Sequence, residues 1–146
     1  MNDESKNRFA STSGKPQNYR DLLVWQKGIS LAKTIYKLTA GFPSEEKFGL
    51  ISQMRRAVVS VPSNVAEGQA RHTSGEFIQF IPHAEGSLGE LNAQLTLAAE
   101  LGFVSSENAQ PCAATIDELR RILNGLRRVV SGQNSAARNS TPIARK

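Results

Sequence analysis

The chain has 146 residues, a single cysteine and a formal charge of +5. That length supports one domain with a real hydrophobic core and no need of staples. Cys112 alone excludes an internal disulfide framework and fits a reducing compartment, and no apolar run approaches the ~18 residues of a membrane span, so a cytoplasmic protein with no membrane segment is expected. The excess charge lies mostly outside the expected fold. Residues 19–131 hold 12 Lys/Arg against 11 Asp/Glu, whereas residues 132–146 hold three basic residues and no acid. Net charge of this kind bears on non-specific association, not on fold.

Residues 1–18 are rich in Asn, Ser, Lys and Gly and nearly devoid of apolar side chains, so a disordered tail is expected there. A first helix is expected from the N-cap Asp21 to Gly41, where Gly followed by Phe42-Pro43 ends it. Its core seam reads Leu22, Trp25, Ile29, Ala32 and Tyr36. Val24, Leu31 and Leu38 fall on the opposite side with Ile35 between, so the apolar arc spans roughly 200°, about twice that of an ordinary surface helix. Two readings stay open: burial within the bundle on most sides, or a subunit interface formed by Val24, Leu31, Ile35 and Leu38.

A second helix is expected to open at Ser44-Glu45-Glu46, a cap followed by acids that suit the positive helix end, and to run to Gly68. Its seam is Ile51, Met54, Val58, Val61 and Val65, with Pro62 inside it. An interior proline removes one backbone hydrogen bond and costs ~3 kcal/mol or more. Ser60, Ser63 and Asn64 are expected to satisfy carbonyls near the resulting kink. Thr73-Ser74-Gly75-Glu76 has the form of a capping box for a third helix. That helix carries the cleanest period in the chain, Phe77, Ile81, Ala84, Leu88, Leu91, Leu95 and Ala98, and ends at Gly102. A fourth follows Ser105-Ser106 with Ile116, Leu119, Leu123, Leu126 and Val130 on one face and Pro111 in its early turns. Residues 132–146 return to a polar, basic composition and are expected to be a second disordered tail. Four helical segments with short connections predict an all-α, antiparallel up-down-up-down four-helix bundle over residues 19–131.

No catalytic template fits this pattern. A di-metal site in a bundle needs Glu-x-x-His pairs. Gln69 precedes His72 by three residues and Phe80 precedes His83 by three, so neither pair exists. Two histidines and one cysteine do not make a four-ligand zinc site without carboxylates, and Cys112 has no evident histidine partner. No enzyme, cofactor or metal is therefore expected. Gly86 and Gly89 lie within a helical period with no strand before them, which argues against a phosphate loop and for close helix packing. The remaining candidates are arginines. Arg120 and Arg127 flank the seam of the fourth helix a heptad apart, Arg121 and Arg128 point away from it, and Arg55, Arg56 and Arg71 add smaller basic spots. The bland account is a solvated face paired with Glu76, Glu85, Glu90 or Glu100, at ~0–1 kcal/mol per pair. No aromatic platform for a single strand is evident, because Trp25 and the phenylalanines mostly fall on seams.

The segments Leu22-Leu23-Val24-Trp25-Gln26-Lys27, Phe42-Pro43, Phe48-Gly49-Leu50, Gln53-Met54-Arg55-Arg56, Ser60-Val61-Pro62-Ser63-Asn64-Val65-Ala66-Glu67-Gly68 and Gly86-Ser87-Leu88-Gly89-Glu90-Leu91 occur in an order that resembles the bacterial four-helix bundle family encoded in intervening sequences of 23S ribosomal RNA genes. The resemblance covers about residues 19–131. It implies a small cytosolic bundle that forms a ring-like homopentamer and has no catalytic residues. The chain is also similar to the accessory proteins of diversity-generating retroelements, which implies RNA or DNA and a reverse transcriptase, or another nucleic-acid enzyme, as partners through basic surfaces. One departure is Pro82, inside the third helix where the family keeps a helix former. It bears on the straightness of that helix and on its packing opposite Pro62.

Overall fold

The computed structural model describes the backbone of residues 19–70 and 78–140 and the side chains of 22–70 and 78–129. Four helices form it: α1 (Tyr19–Thr39), α2 (Leu50–Gln69), α3 (Phe80–Glu100) and α4 (Ser106–Ser140), with one 3-10 turn at Ser44–Glu46. α2 packs against α1 and α3, and α4 packs against α1 and α3, which closes an antiparallel square. The α3–α4 side is the loosest of the four.

Three of the four helices bury most of the seams their sequences announce; Ile51, the first residue of the α2 seam, is only partly buried, and the side chains of Phe77 and Val130 lie outside the described residues. Met54, Val58, Val61 and Val65 of α2, Ile81 through Ala98 of α3, and Ile116, Leu119, Leu123 and Leu126 of α4 are all buried in one core. Each follows a 3–4 spacing, the repeat that keeps a stripe turned toward neighbouring helices.

α1 is the exception. Its core positions are Val24, Leu31 and Ile35, with Gly28 and Thr39 on the same face. The residues expected on an outer interface, Val24, Leu31 and Ile35, are thus fully interior, and only Leu38 keeps partial exposure. The expected core residues Ile29 and Tyr36 are instead exposed, at 38% and 44%. Leu22, Trp25 and Ala32 sit between, partly buried against the core. The reason is steric. A Cβ added at Gly28 would lie 3.2 Å from Pro62 Cδ, so the glycine forms the hole that receives the proline ring. Gly28 contributes no hydrophobicity and is invisible to a count of apolar side chains. Yet it lets α1 approach α2 on the Val24–Gly28–Leu31–Ile35 face and no other.

α2 continues through Pro62 without interruption. The proline removes the N–H partner of the Val58 carbonyl. Around it, Ser60 donates its hydroxyl to the Ala57 carbonyl at 2.7 Å, and Asn64 Nδ2 donates to the Ser60 carbonyl at 2.7 Å. With its proton given to Ala57, Ser60 Oγ accepts from the Ser87 hydroxyl of α3, so two motifs distant in sequence meet beside the proline. Ser63 is exposed and takes no part.

The helix ends differ from expectation in several places. α1 begins at Tyr19, so Asp21 lies inside its first turn and is not its N-cap. Ser44–Glu46 is a separate 3-10 turn, and α2 begins six residues after Ser44, at Leu50, with Gly49 as N-cap. Glu46 Oε1 accepts from Leu50 N–H at 3.1 Å, supplying the cap that glycine lacks. Pro82 falls in the first turn of α3, after a turn residue at Gln79, where the missing N–H is an unpaired donor in any helix. It therefore does not bend the helix interior. The capping box at residues 73–76, together with Phe77, lies outside the described residues. α4 extends to Ser140, beyond the boundary set at 131, through Gln133, Ala136, Ala137 and Arg138, all good helix formers. Ser105 caps its start, accepting from Asn108 N–H at 3.2 Å. The end of α3 is a Schellman turn: Gly102 has φ of 80°, Gly102 N–H donates to Ala99 and Phe103 N–H to Ala98.

Candidate interaction surfaces

The seven candidate arginines have different fates. Arg55 is drawn into the fold. Its Nε donates to Thr39 Oγ1 at 2.9 Å, its Nη2 donates to the Tyr36 carbonyl at 3.2 Å, and its guanidinium lies 4.5 Å from the centre of the Tyr36 ring. Thr39 is fully buried and passes its own proton to the Ile35 carbonyl at 2.7 Å. Arg55 is therefore a clamp on the C-terminal end of α1, where a cation also suits the negative helix end. Arg127 pairs with Glu85, joining α4 to α3, in a partly exposed site of about 0–1 kcal/mol. Arg120 is half-buried, and its Nη2 would lie 3.0 Å from a Cβ at Gly89, so that glycine makes room for a guanidinium. Gly86 faces open space, contrary to the close packing expected of it. Arg56, Arg121 and Arg128 are exposed, and Arg71 lies outside the described residues.

The structure does not gather these arginines into one patch. What it gathers is a face of α1 and α2 on which apolar and cationic groups alternate. Ile29, Ala32 and Val59 form an apolar strip with Lys33 and Lys37 at its margin. Tyr36 and Val59 make a ridge. Beyond the ridge a second groove of ≈ 670 Å³ runs along α2, bounded by Lys47, Phe48, Arg55 and Arg56. Phe48 stands 88% exposed. A helix opening at Ser44, as the sequence predicts, would place Phe48 within its first turns. In the structure it sits on the tight turn between Glu46 and Leu50, outside any helix.

Among the described residues no group of three or more His, Cys, Asp or Glu side chains is placed to hold a metal ion. Cys112 is buried, and desolvation pushes its thiol above the usual cysteine range. A thiol held neutral in this way is a poor nucleophile. No helix among the described residues is long and apolar enough to cross a membrane.

Fold and surface together define a small antiparallel helical bundle whose distinctive features are on its outside. The chain belongs to the 23S rRNA-intervening sequence protein family, which it matches over residues 20–125. It is also similar to a protein of unknown function from the S23 ribosomal protein family of Bacteroides thetaiotaomicron, solved by crystallography. The two share 22% identity with a TM-score of 0.65, over 73% of this chain and 96% of that one. At that identity the likeness establishes the fold alone. No curated protein matches the sequence.

Proposed function

We propose that this protein is a non-enzymatic, cytoplasmic homo-oligomer, a pentameric ring, that binds RNA or DNA or a nucleic-acid enzyme such as a reverse transcriptase through basic surfaces. The observation that carries the self-association is the apolar strip of exposed Ile29 and Val59 with partly buried Ala32 between them, on a bundle whose core is already closed. An apolar strip rimmed by lysines is the form of an interaction site, not of a solvated face. The interface thus moves from Val24, Leu31 and Ile35 to the opposite side of α1. Arg121 and Arg128, exposed and a heptad apart on α4, supply the anionic contact, repeated in each copy. Repetition around a ring raises effective concentration and turns weak phosphate contacts into useful affinity.

Light scattering at micromolar concentration tests the first half. The expected mass is a multiple of the chain, reduced to one chain by Ile29→Asp with Val59→Asp, and a monomeric wild type overturns the reading. Binding to RNA and DNA across a salt series tests the second. Affinity that falls with salt and drops on replacing Arg121 and Arg128 by Gln supports it. A second reading, a scaffold that docks protein alone, is favoured by the internal engagement of Arg55 and Arg127. Capture of a partner that survives nuclease treatment, with no binding to nucleic acid at low salt, decides for it.

A further inference from the structure

We propose that the groove between Tyr36 and Phe48 is the seat of a single strand of nucleic acid, with a base stacked on Phe48 and the flanking phosphates held by Lys47 and Arg56. The inference rests on the nucleic-acid arm of the function above and adds a further contact, on the α1–α2 face beside the Arg121 and Arg128 contact of α4, made by a single strand.

Three observations carry it. First, Phe48 is displayed by a built turn. Lys47 N–H donates to the Ser44 carbonyl at 3.1 Å, Gly49 N–H to the Glu46 carbonyl at 3.0 Å, and Gln53 N–H to the Gly49 carbonyl at 3.0 Å. A Cβ at Gly49 would lie 3.0 Å from Glu46 Oε1 and press on the carboxylate that caps α2. Leaving a phenylalanine 88% exposed forgoes most of the ~1.5–3 kcal/mol that its burial contributes. Nothing in the fold requires that exposure.

Second, the charge is of one sign. The groove is lined by Lys47, Arg55 and Arg56 and by no acid. Of the nearby carboxylates, Glu46 is turned onto the Leu50 N–H as a helix cap, and Glu45 is exposed outside the groove.

Third, a cation sits beside the exposed ring: Lys47 Nζ lies 5.5 Å from the centre of Phe48, whereas Arg55 is engaged on Tyr36 and Thr39. A ring with an adjoining cation is what a nucleotide requires: a π-face for the base and a positive charge within reach of its phosphate. A duplex keeps its base faces stacked inside and offers only phosphates here. A single strand offers both. A protein segment of acidic and apolar residues would use the charge but gain nothing particular from an open ring face.

The test is fluorescence anisotropy of the full chain with labelled 12-mers of uridine and of deoxythymidine, and a 12-base-pair duplex, at several salt concentrations. Single strands are expected to bind at least about 10-fold more tightly than duplex. The two sugars should differ by no more than about threefold, because neither stacking nor phosphate pairing reads the 2′-hydroxyl. Phe48→Ala should weaken single-strand binding by about 10-fold or more and leave duplex binding unchanged, with Phe48→Tyr restoring it. Arg56→Gln should reduce the dependence of log affinity on log salt by roughly 0.7, one phosphate contact on a single strand. Circular dichroism of Phe48→Ala should match the wild type, since the side chain is outside the core. If Phe48→Ala binds as the wild type does while Arg121→Gln with Arg128→Gln loses binding, the groove assignment is wrong and the broader function stands. A duplex preferred over either strand likewise overturns the groove. No binding to any probe at low salt overturns both.

Discussion

The two sides of α1 carry equally apolar stripes, yet the fold buries one and shows the other. Inside lie Val24, Gly28, Leu31, Ile35 and Thr39; outside lie Ile29 and Tyr36, with Ala32 partly buried beside them. Both follow 3–4 spacing, so hydrophobic periodicity does not choose between them. Shape does. The pyrrolidine ring of Pro62 needs a hole on the facing helix, and Gly28 is the one residue of α1 without a side chain. The difference shows that in a four-helix square a single small residue can set the rotation of a helix that hydrophobicity leaves undecided.

The sharpest way to break this comparison is to truncate one residue from each side. Ile35→Ala removes a side chain from a fully buried position and is expected to destabilise by ~2–5 kcal/mol. Ile29→Ala, of identical chemistry, is expected to change stability by less than ~0.5 kcal/mol at concentrations where the chain is a monomer. Urea unfolding of the two variants checks this directly. Equal losses in both would mean that α1 is rotated from the position described.

A smaller effect isolates the steric device itself. Gly28→Ala places a methyl 3.2 Å from Pro62 Cδ, tighter than ordinary contact and against a rigid ring. A loss of ~1–3 kcal/mol is expected from overpacking, less the gain in helix propensity. In a Pro62→Ala background the clash disappears, so the same substitution should become neutral or stabilising. Such coupling is the signature of residues in contact. Additive effects in the double-mutant cycle would remove the proline as the reason for the glycine.

This device also explains what was and was not legible in the sequence. α2, α3 and α4 announce their seams because apolar residues recur at 3–4 spacing along each, although Gln69 and Gln94 are buried as well. α1 hides its seam because one core position is glycine and another, Thr39, is a threonine satisfied by Arg55. That clamp joins residues 16 and 19 apart across a turn, beyond the reach of any local spacing rule. The same reasoning separates the arginines. The heptad placement of Arg121 and Arg128 read correctly as exposed, because helix geometry alone decides it. The exposure of Phe48 did not, because it depends on α2 starting at Leu50 and not at Ser44. Acids at a helix start and acids in a preceding 3-10 turn have the same sequence signature, and here Glu46 serves as the cap from outside.

The smallest effect concerns the two glycines of α3, which the sequence treats alike and the structure does not. Gly86 meets nothing within 4 Å of an added Cβ, so Gly86→Ala should gain the helix-propensity difference, about 0.5–1 kcal/mol. Gly89→Ala gains the same term but pushes on Arg120 Nη2, the far end of a flexible chain, and should come out near neutral. Thermal melts at low protein concentration resolve the two. Their value lies in the concentration dependence. The open space beside Gly86 belongs to one chain, and a neighbouring copy has only that space to enter if the close packing expected of this glycine occurs between subunits. If Gly86→Ala stabilises at low concentration but weakens self-association, α3 meets a second chain at this position. If it stabilises at every concentration and leaves the assembled mass unchanged, α3 does not carry the contact, and the strip of Ile29 and Val59 on the α1–α2 side is left as the surface proposed for self-association.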